Sequence, residues 1–372
     1  MRAIAVLVVV APLIAQAAHA QVVRGTAITP DSALVPGVIV TLIDEKGTAV
    51  ARALADDGGS FSLKAPSSGT YHIEAKRVAF RPTVDKPIVL EEGRVLLHTL
   101  VLTGAPVQLA GVQVIAEQRC QVHPDSVSAA FAVWEEARKA LRSSQLTRLT
   151  RAYKADVTTF VRRQSAAETR FRMTDSTTKL GMSLRPFTSL APEELAAKGY
   201  VTRGAHSQVF HAPDEDVLLS DEFAATHCLR LLPDSADGQL VRLGFAPIPG
   251  RKEPDIAGVL SLDRTSAELR RLDFSFVNVP ATDVVGAAGG EIVFRHLSEG
   301  SWMIEQWAIW LPIAEQRTEY APSIAAPSTR GMPARSTPTI TTRFGMQTTG
   351  GHVIRVSFGD ETVWRAPTPP KP

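Results

Sequence analysis

The chain has 372 residues, 40 Lys or Arg against 38 Asp or Glu, and a formal net charge of +2. That length exceeds what one core usually supports, so two domains are expected. Hydrophobic residues at 44% and charged residues at 21% exclude wholesale disorder, and so small a net charge gives no reason to expect a nucleic-acid partner, whose footprint is a concentrated basic surface.

Arg2 precedes an apolar run, residues 4–14, that closes on the small-residue pattern Ala18-His19-Ala20. Residues 1–20 therefore read as a cleaved secretory signal, with Gln21 as the mature start. The run is too short to span a bilayer, and no later stretch is apolar enough, so no transmembrane segment is expected after cleavage. The expected location is the periplasm, the extracellular space or the outer-membrane surface. An oxidising compartment favours a disulfide between the two cysteines, Cys120 and Cys228.

Between residues 22 and 102, short apolar runs recur with Gly and Pro between them: residues 38–43, 49–55, 61–63, 71–75, 88–90 and 95–102. Turn residues punctuate them at Pro36-Gly37, Asp57-Gly58-Gly59 and Ser67-Ser68-Gly69. This is the pattern of a seven-stranded β-sandwich over residues 21–103. Val23-Arg24-Gly25-Thr26, Val35-Pro36-Gly37-Val38, Asp56-Asp57-Gly58-Gly59-Ser60-Phe61 and Pro66-Ser67-Ser68-Gly69-Thr70-Tyr71 together resemble the carboxypeptidase regulatory-like domain. The resemblance implies a transthyretin-like sandwich, akin to carbohydrate-binding folds, at the start of a bacterial envelope protein. Ala55 stands where that family usually has Thr, and Ala79 where Gly precedes an aromatic.

Residues 104–124 read as a connector. A helix is predicted over 125–142, N-capped by Asp125 or Ser126, with Val127, Ala130, Phe131, Trp134, Ala137 and Leu141 as its apolar stripe and Glu135, Arg138, Lys139 and Arg142 facing away. The basic stretch 138–172 reads as a solvated face, or more sharply as a contact for an anionic envelope surface. Alternation resumes after residue 150, and residues 192–199 predict a short helix with Pro early and Gly at its end. Strands are expected around residues 208–211, 217–219, 227–232 and 239–245.

Residues 255–312 carry the clearest period-2 alternation and predict four consecutive antiparallel strands. The apolar phase moves from Trp302 and Ile304 to Trp307, Ile309 and Leu311, so a bulge is expected near Glu305-Gln306. The mainly β fold expected is thus a sandwich, a linking helix and a half-barrel-like antiparallel sheet domain over 125–320. Residues 321–338 read as a linker or loop, residues 339–365 as a hairpin turning around Gly350-Gly351, and 366–372 as a disordered tail.

No catalytic constellation emerges. His296 and Glu299 match a His-x-x-Glu zinc pair, with His352 as a remote third ligand, but Glu299 sits in a turn and no catalytic domain accompanies them. His206, His211, Asp214, Asp216 and His227 concentrate ligand-type residues without metal spacing. Gly-rich residues 286–290 precede a strand and lack the helix that would hold a phosphate. Catalytic, cofactor and metal residues are accordingly none; Trp302, Trp307 and Trp310 are ligand-stacking candidates set against core packing. The expected role is non-enzymatic binding or scaffolding, with an envelope protein or polysaccharide as partner. The alternatives are a carbohydrate-binding module and a periplasmic carrier of a lipid or small hydrophobic ligand.

Overall fold

A computed structural model describes residues 21–103, 109, 128–165, 172–203, 208–233, 235–236, 238–279, 288–297, 300–320 and 338–367. The expected signal segment, Cys120, His206, Glu299, the loop at 321–337 and the last five residues lie outside them.

The first domain is the expected sandwich. Its strands are β1 (Gln21–Ile28), β2 (Ile39–Asp44), β3 (Ala49–Leu54), β4 (Ser60–Ala65), β5 (Gly69–Lys76), the short β6 (Thr83–Val84), β7 (Ile88–Leu90) and β8 (Val95–Val101). One sheet has the order β4-β1-β8, with β1 and β8 parallel; the other runs β3-β2-β5-β6, with β7 also paired to β5. Alternation decides which side chains face inward: Val23, Ala27, Phe61 and Leu63 from one sheet meet Val40, Leu42, Ile73 and Ala75 from the other in a single core.

The second domain wraps a helix in a curved sheet. Helix α1 (Ala129–Thr150) leads into β9 (Tyr153–Ser165) and β10 (Arg172–Met182). There follow α2 (Pro192–Lys198), the β11–β12 pair (Val201–Arg203 and Gln208–Phe210), α3 (Glu215–Leu218) and α4 (Asp221–Thr226). The chain then runs as a meander, β13 (His227–Leu232), β14 (Leu240–Pro247), β15 (Asp255–Asp263), β16 (Leu269–Val277), β17 (Gly289–His296), β18 (Trp302–Tyr320) and β19 (Pro338–Phe358), with β20 (Glu361–Arg365) folding back on β19. β19 also pairs with β9, so the sheet order is β10-β9-β19-β18-β17-β16-β15-β14-β13, antiparallel throughout. Among the described residues, no helix is long and apolar enough to cross a membrane.

Several expectations need correction. The cap of α1 is Ser128, whose Oγ accepts from the Phe131 N–H, and the helix runs on to Thr150. Residues 217 and 218 are helical, with Leu219 as the C-cap, because the Asp214 carboxylate accepts from the Val217 N–H and starts α3. The hairpin at 339–365 turns at Gly359, between β19 and β20; Gly350 and Gly351 lie inside β19. They are glycines because aromatic rings from both neighbouring strands cover them. Trp307 stands opposite Gly351, and Phe160 opposite Gly350. A Cβ on Gly351 would lie 2.5 Å from the Trp307 ring. The same pairing recurs at Phe245 with Gly258 and Phe274 with Gly290. The bulge expected near Glu305 is present: Val293 pairs with Gln306 and Phe294 with Ile304, leaving Glu305 unmatched.

The largest departure concerns the polar side of α1. Ala130, Trp134, Ala137 and Leu141 pack on the concave face of the sheet as expected, joined by Val133. Much of the opposite side is covered by the sandwich, although Ala132 and the Arg138 side chain stay exposed. Glu136 and Lys139, both 3% exposed, form a 2.6 Å ion pair. Glu136 Oε2 accepts from the Ala79 N–H at 2.8 Å, and Lys139 Nζ donates to the Phe80 carbonyl at 2.7 Å. Ala79 keeps the left-handed turn usual for Gly, at φ 65°, with its N–H held by that carboxylate. Nearby, Leu146 packs with Ile39 and Leu54 of the sandwich. The turns at Gly37 and Gly300, φ 70° and 71°, touch backbone to backbone; a Cβ on Gly37 would meet Gly300 Cα at 2.6 Å. The interface is therefore built from specific polar contacts and a close glycine approach.

Burial raises the Glu136 carboxyl above the usual range, and Lys139 opposes that shift. Removing only the lysine leaves a buried, unpaired acid. We expect Lys139→Met to destabilise the protein by about 3–5 kcal/mol, and Glu136→Leu combined with it to recover part of the loss, both read from urea unfolding midpoints.

Candidate functional site

Because α1 occupies one face of the sheet, pockets lie near its end and at the domain junction. At one end, Phe131 and Trp134 of α1, Leu219, Phe223 of α4 and Leu229 of β13 line an apolar pocket of about 420 Å³, with Arg138 and Asp221 adding charge. Trp134 and Phe223 stack at 6.3 Å, and Phe223 stacks on His227 at 4.1 Å and 18°. That volume suits a small apolar ligand.

Behind the aromatic wall lies a buried charge relay. His227 Nε2 sits 3.0 Å from Asp255 Oδ1 but out of line for a hydrogen bond, while Asp255 Oδ2 accepts from Arg251 Nε. Burial, and then Asp255, raise the Tyr200 hydroxyl well above its usual range. The arrangement resembles a base held by a carboxylate; the neighbouring Thr226 hydroxyl donates to the Glu222 carbonyl at 2.7 Å. Arg251 and Asp255 are four residues apart, and the β13–β14–β15 pairing brings His227 to them from farther back in the chain.

At the domain junction, a pocket of about 210 Å³ is lined by Arg77, Ala79, Glu268, His296 and Trp302. His296, the first member of the zinc pattern, spends Nδ1 on Glu268 at 2.9 Å and stacks on Trp302 at 5.1 Å. That hydrogen bond holds Glu268 below the usual carboxylate range. His352 lies two strands away in β19, opposite Gln306. No group of three ligands that could hold a metal occurs among the described residues.

The second ligand-rich region is structural. Asp214 caps α3 and accepts from Arg185 and the Ser189 N–H, and Asp216 accepts from Gln145 of α1 and from Arg185. Between them, Glu215 is buried, accepts from the Ser144 hydroxyl at 2.8 Å and is raised in pKa by burial. His211 turns to Thr202, and His227 belongs to the relay above.

The tryptophans do not form one platform. Trp302 and Trp307 are core, at 3% and 5% exposure, and Trp310 is half-buried on the other side of β18. Cys228 is buried in β13. One feature escaped sequence reading altogether: an open groove of about 780 Å³ across the sandwich, lined by Arg24, Arg52 and Arg151 among hydroxyl side chains. Its signal was present in the outward-facing alternate positions of β1, which carry Arg24 and Thr26.

The model of the carboxypeptidase regulatory-like domain matches residues 22–103. No curated protein matches the chain. Among solved structures, the Streptococcal ancillary pilin is similar over 54% of this chain and 61% of its own, so the chain spans less than two thirds of it, at 9% identity and a TM-score of 0.21. BcpA, the major pilin subunit of Bacillus cereus, is similar over 87% and 95% of the two chains at 8% identity and a TM-score of 0.21. A 9R-lipoxygenase from Cyanothece PCC8801 is similar over 71% and 43% at 10% identity and a TM-score of 0.17. Strand order, core and family match agree on the first lobe: residues 22–103 are a carboxypeptidase regulatory-like domain.

Proposed function

We propose that this is an exported cell-envelope protein that binds or scaffolds and performs no catalysis. The observation that carries the reading is α1, which fills the concave face of the sheet with its own side chains and is clamped from behind by the sandwich. The signal-like residues 1–20 and the envelope associations of the first domain support export. The test is a turnover panel of peptide, ester and glycoside substrates with the purified protein. No turnover is expected; turnover that His227→Ala abolishes overturns the reading.

On the same reading Cys228 is bonded to Cys120, which pins the connector to β13; the absence of a free cysteine among the described residues supports this. Peptide mapping without reductant is expected to recover the two cysteines in one linked fragment, and a free thiol at either position refutes the bond.

A second reading, carriage of a small hydrophobic ligand, is favoured by the aromatic pocket of about 420 Å³. An apolar fluorescent probe is expected to bind there and to be excluded by Ala224→Trp, which fills the pocket from α4. Equal binding by both proteins rejects that site.

A further inference from the structure

The groove across the sandwich combines arginines with a row of hydroxyl side chains. Register places Ser62, Arg24 and Leu97 abreast on β4, β1 and β8, and Ser60, Thr26 and Thr99 abreast one step along. These positions alternate with core-facing Val23 and Ala27, so they point outward. Arg52 of β3, and Thr150 and Arg151 from the end of α1, complete the lining. The groove is thus shared by both domains, whose relative placement the Glu136–Lys139 pair holds.

Its charge is not neutralised from within. Neither Arg24 nor Arg52 has an acidic partner among the described residues. Arg151 donates from one terminal nitrogen to the Ala55 carbonyl at 3.2 Å, while its buried Nε has no partner. Asp56 is the acid in the lining, and its Oδ1 is already taken by the N–H groups of Gly58 and Ser60. Arg52 also crowds Arg142, whose guanidinium is held below the usual range by burial first and by Arg52 next.

We propose that this groove binds an extended acidic polysaccharide, with the arginines on its carboxylates and the Ser and Thr row on its hydroxyls. The proposal deepens the binding reading above and rests on it. A protein or peptide partner would want buried aromatic anchors, and a single-stranded nucleic acid would want stacking faces. The groove offers neither: its aromatic lining residue, Phe61, is 6% exposed. Neutral sugars also favour aromatic platforms, so charge is the selective feature.

The test uses the full chain and fluorescein-labelled oligogalacturonate at low ionic strength, with dextran, poly-glutamate and phosphatidylglycerol vesicles in parallel. Expected are saturable oligogalacturonate binding that weakens with salt, no binding of dextran, and weaker binding of poly-glutamate and vesicles. Arg24→Glu with Arg52→Glu is expected to weaken oligogalacturonate binding at least about tenfold while the melting temperature stays unchanged. Arg24→Gln with Arg52→Gln is expected to give an intermediate loss. Absence of oligogalacturonate binding, binding unaffected by either double variant, or equal affinity for poly-glutamate or vesicles overturns the proposal. Such failure is distinct from failure of the non-catalytic reading, which turnover alone decides.

Discussion

The two domains depend on one helix that packs against both of them. Helix α1 buries an apolar stripe in the sheet and a polar stripe against the sandwich, where the carboxylate of Glu136 and the ammonium of Lys139 are taken out of water together. Desolvating two charges is costly, and their attraction offsets the cost only when the remaining polar valences are also met. Here they are met by backbone groups of a single turn, the Ala79 N–H and the Phe80 carbonyl. An apolar contact would tolerate sliding or rotation of the sandwich over the helix; these directional bonds do not. The left-handed Ala79 belongs to the same bargain, since its strained conformation aims the N–H at the acid.

That clamp explains where ligands can and cannot go. With the concave face occupied, remaining space is pushed to the ends of α1, to the junction and to the outside of the sandwich. The histidines follow the same logic. His227 and His296 each face a carboxylate, Asp255 and Glu268, and each lies against an aromatic ring.

The fold was largely legible because its elements obey local rules. The sandwich strands, the meander from Asp255 and the bulge at Glu305 follow from period-2 alternation and its phase change. What the sequence hid was whatever a second element decides. Lys139 looks solvent-facing until the sandwich arrives from residues remote in the chain. Gly350-Gly351 looks like a turn until Trp307 and Phe160 are seen to need the space. The Val217 stretch is short enough that one capping carboxylate outweighs its β-branched preference. The arginine groove went unseen because Arg24, Arg52 and Arg151 come from three separate elements, each locally an ordinary surface residue.

The paired rings and glycines also act on assembly of the sheet. In a meander this long, adjacent strands offer many near-equivalent alignments, and hydrophobic alternation rejects only odd offsets. An even slip would keep every face correct yet drive Phe245, Phe274 or Trp307 into a Cβ where the native partner has none. The missing side chains at Gly258, Gly290 and Gly351 therefore serve as keyed notches, one along each of three alternate seams, that let the ribbon close in a single alignment.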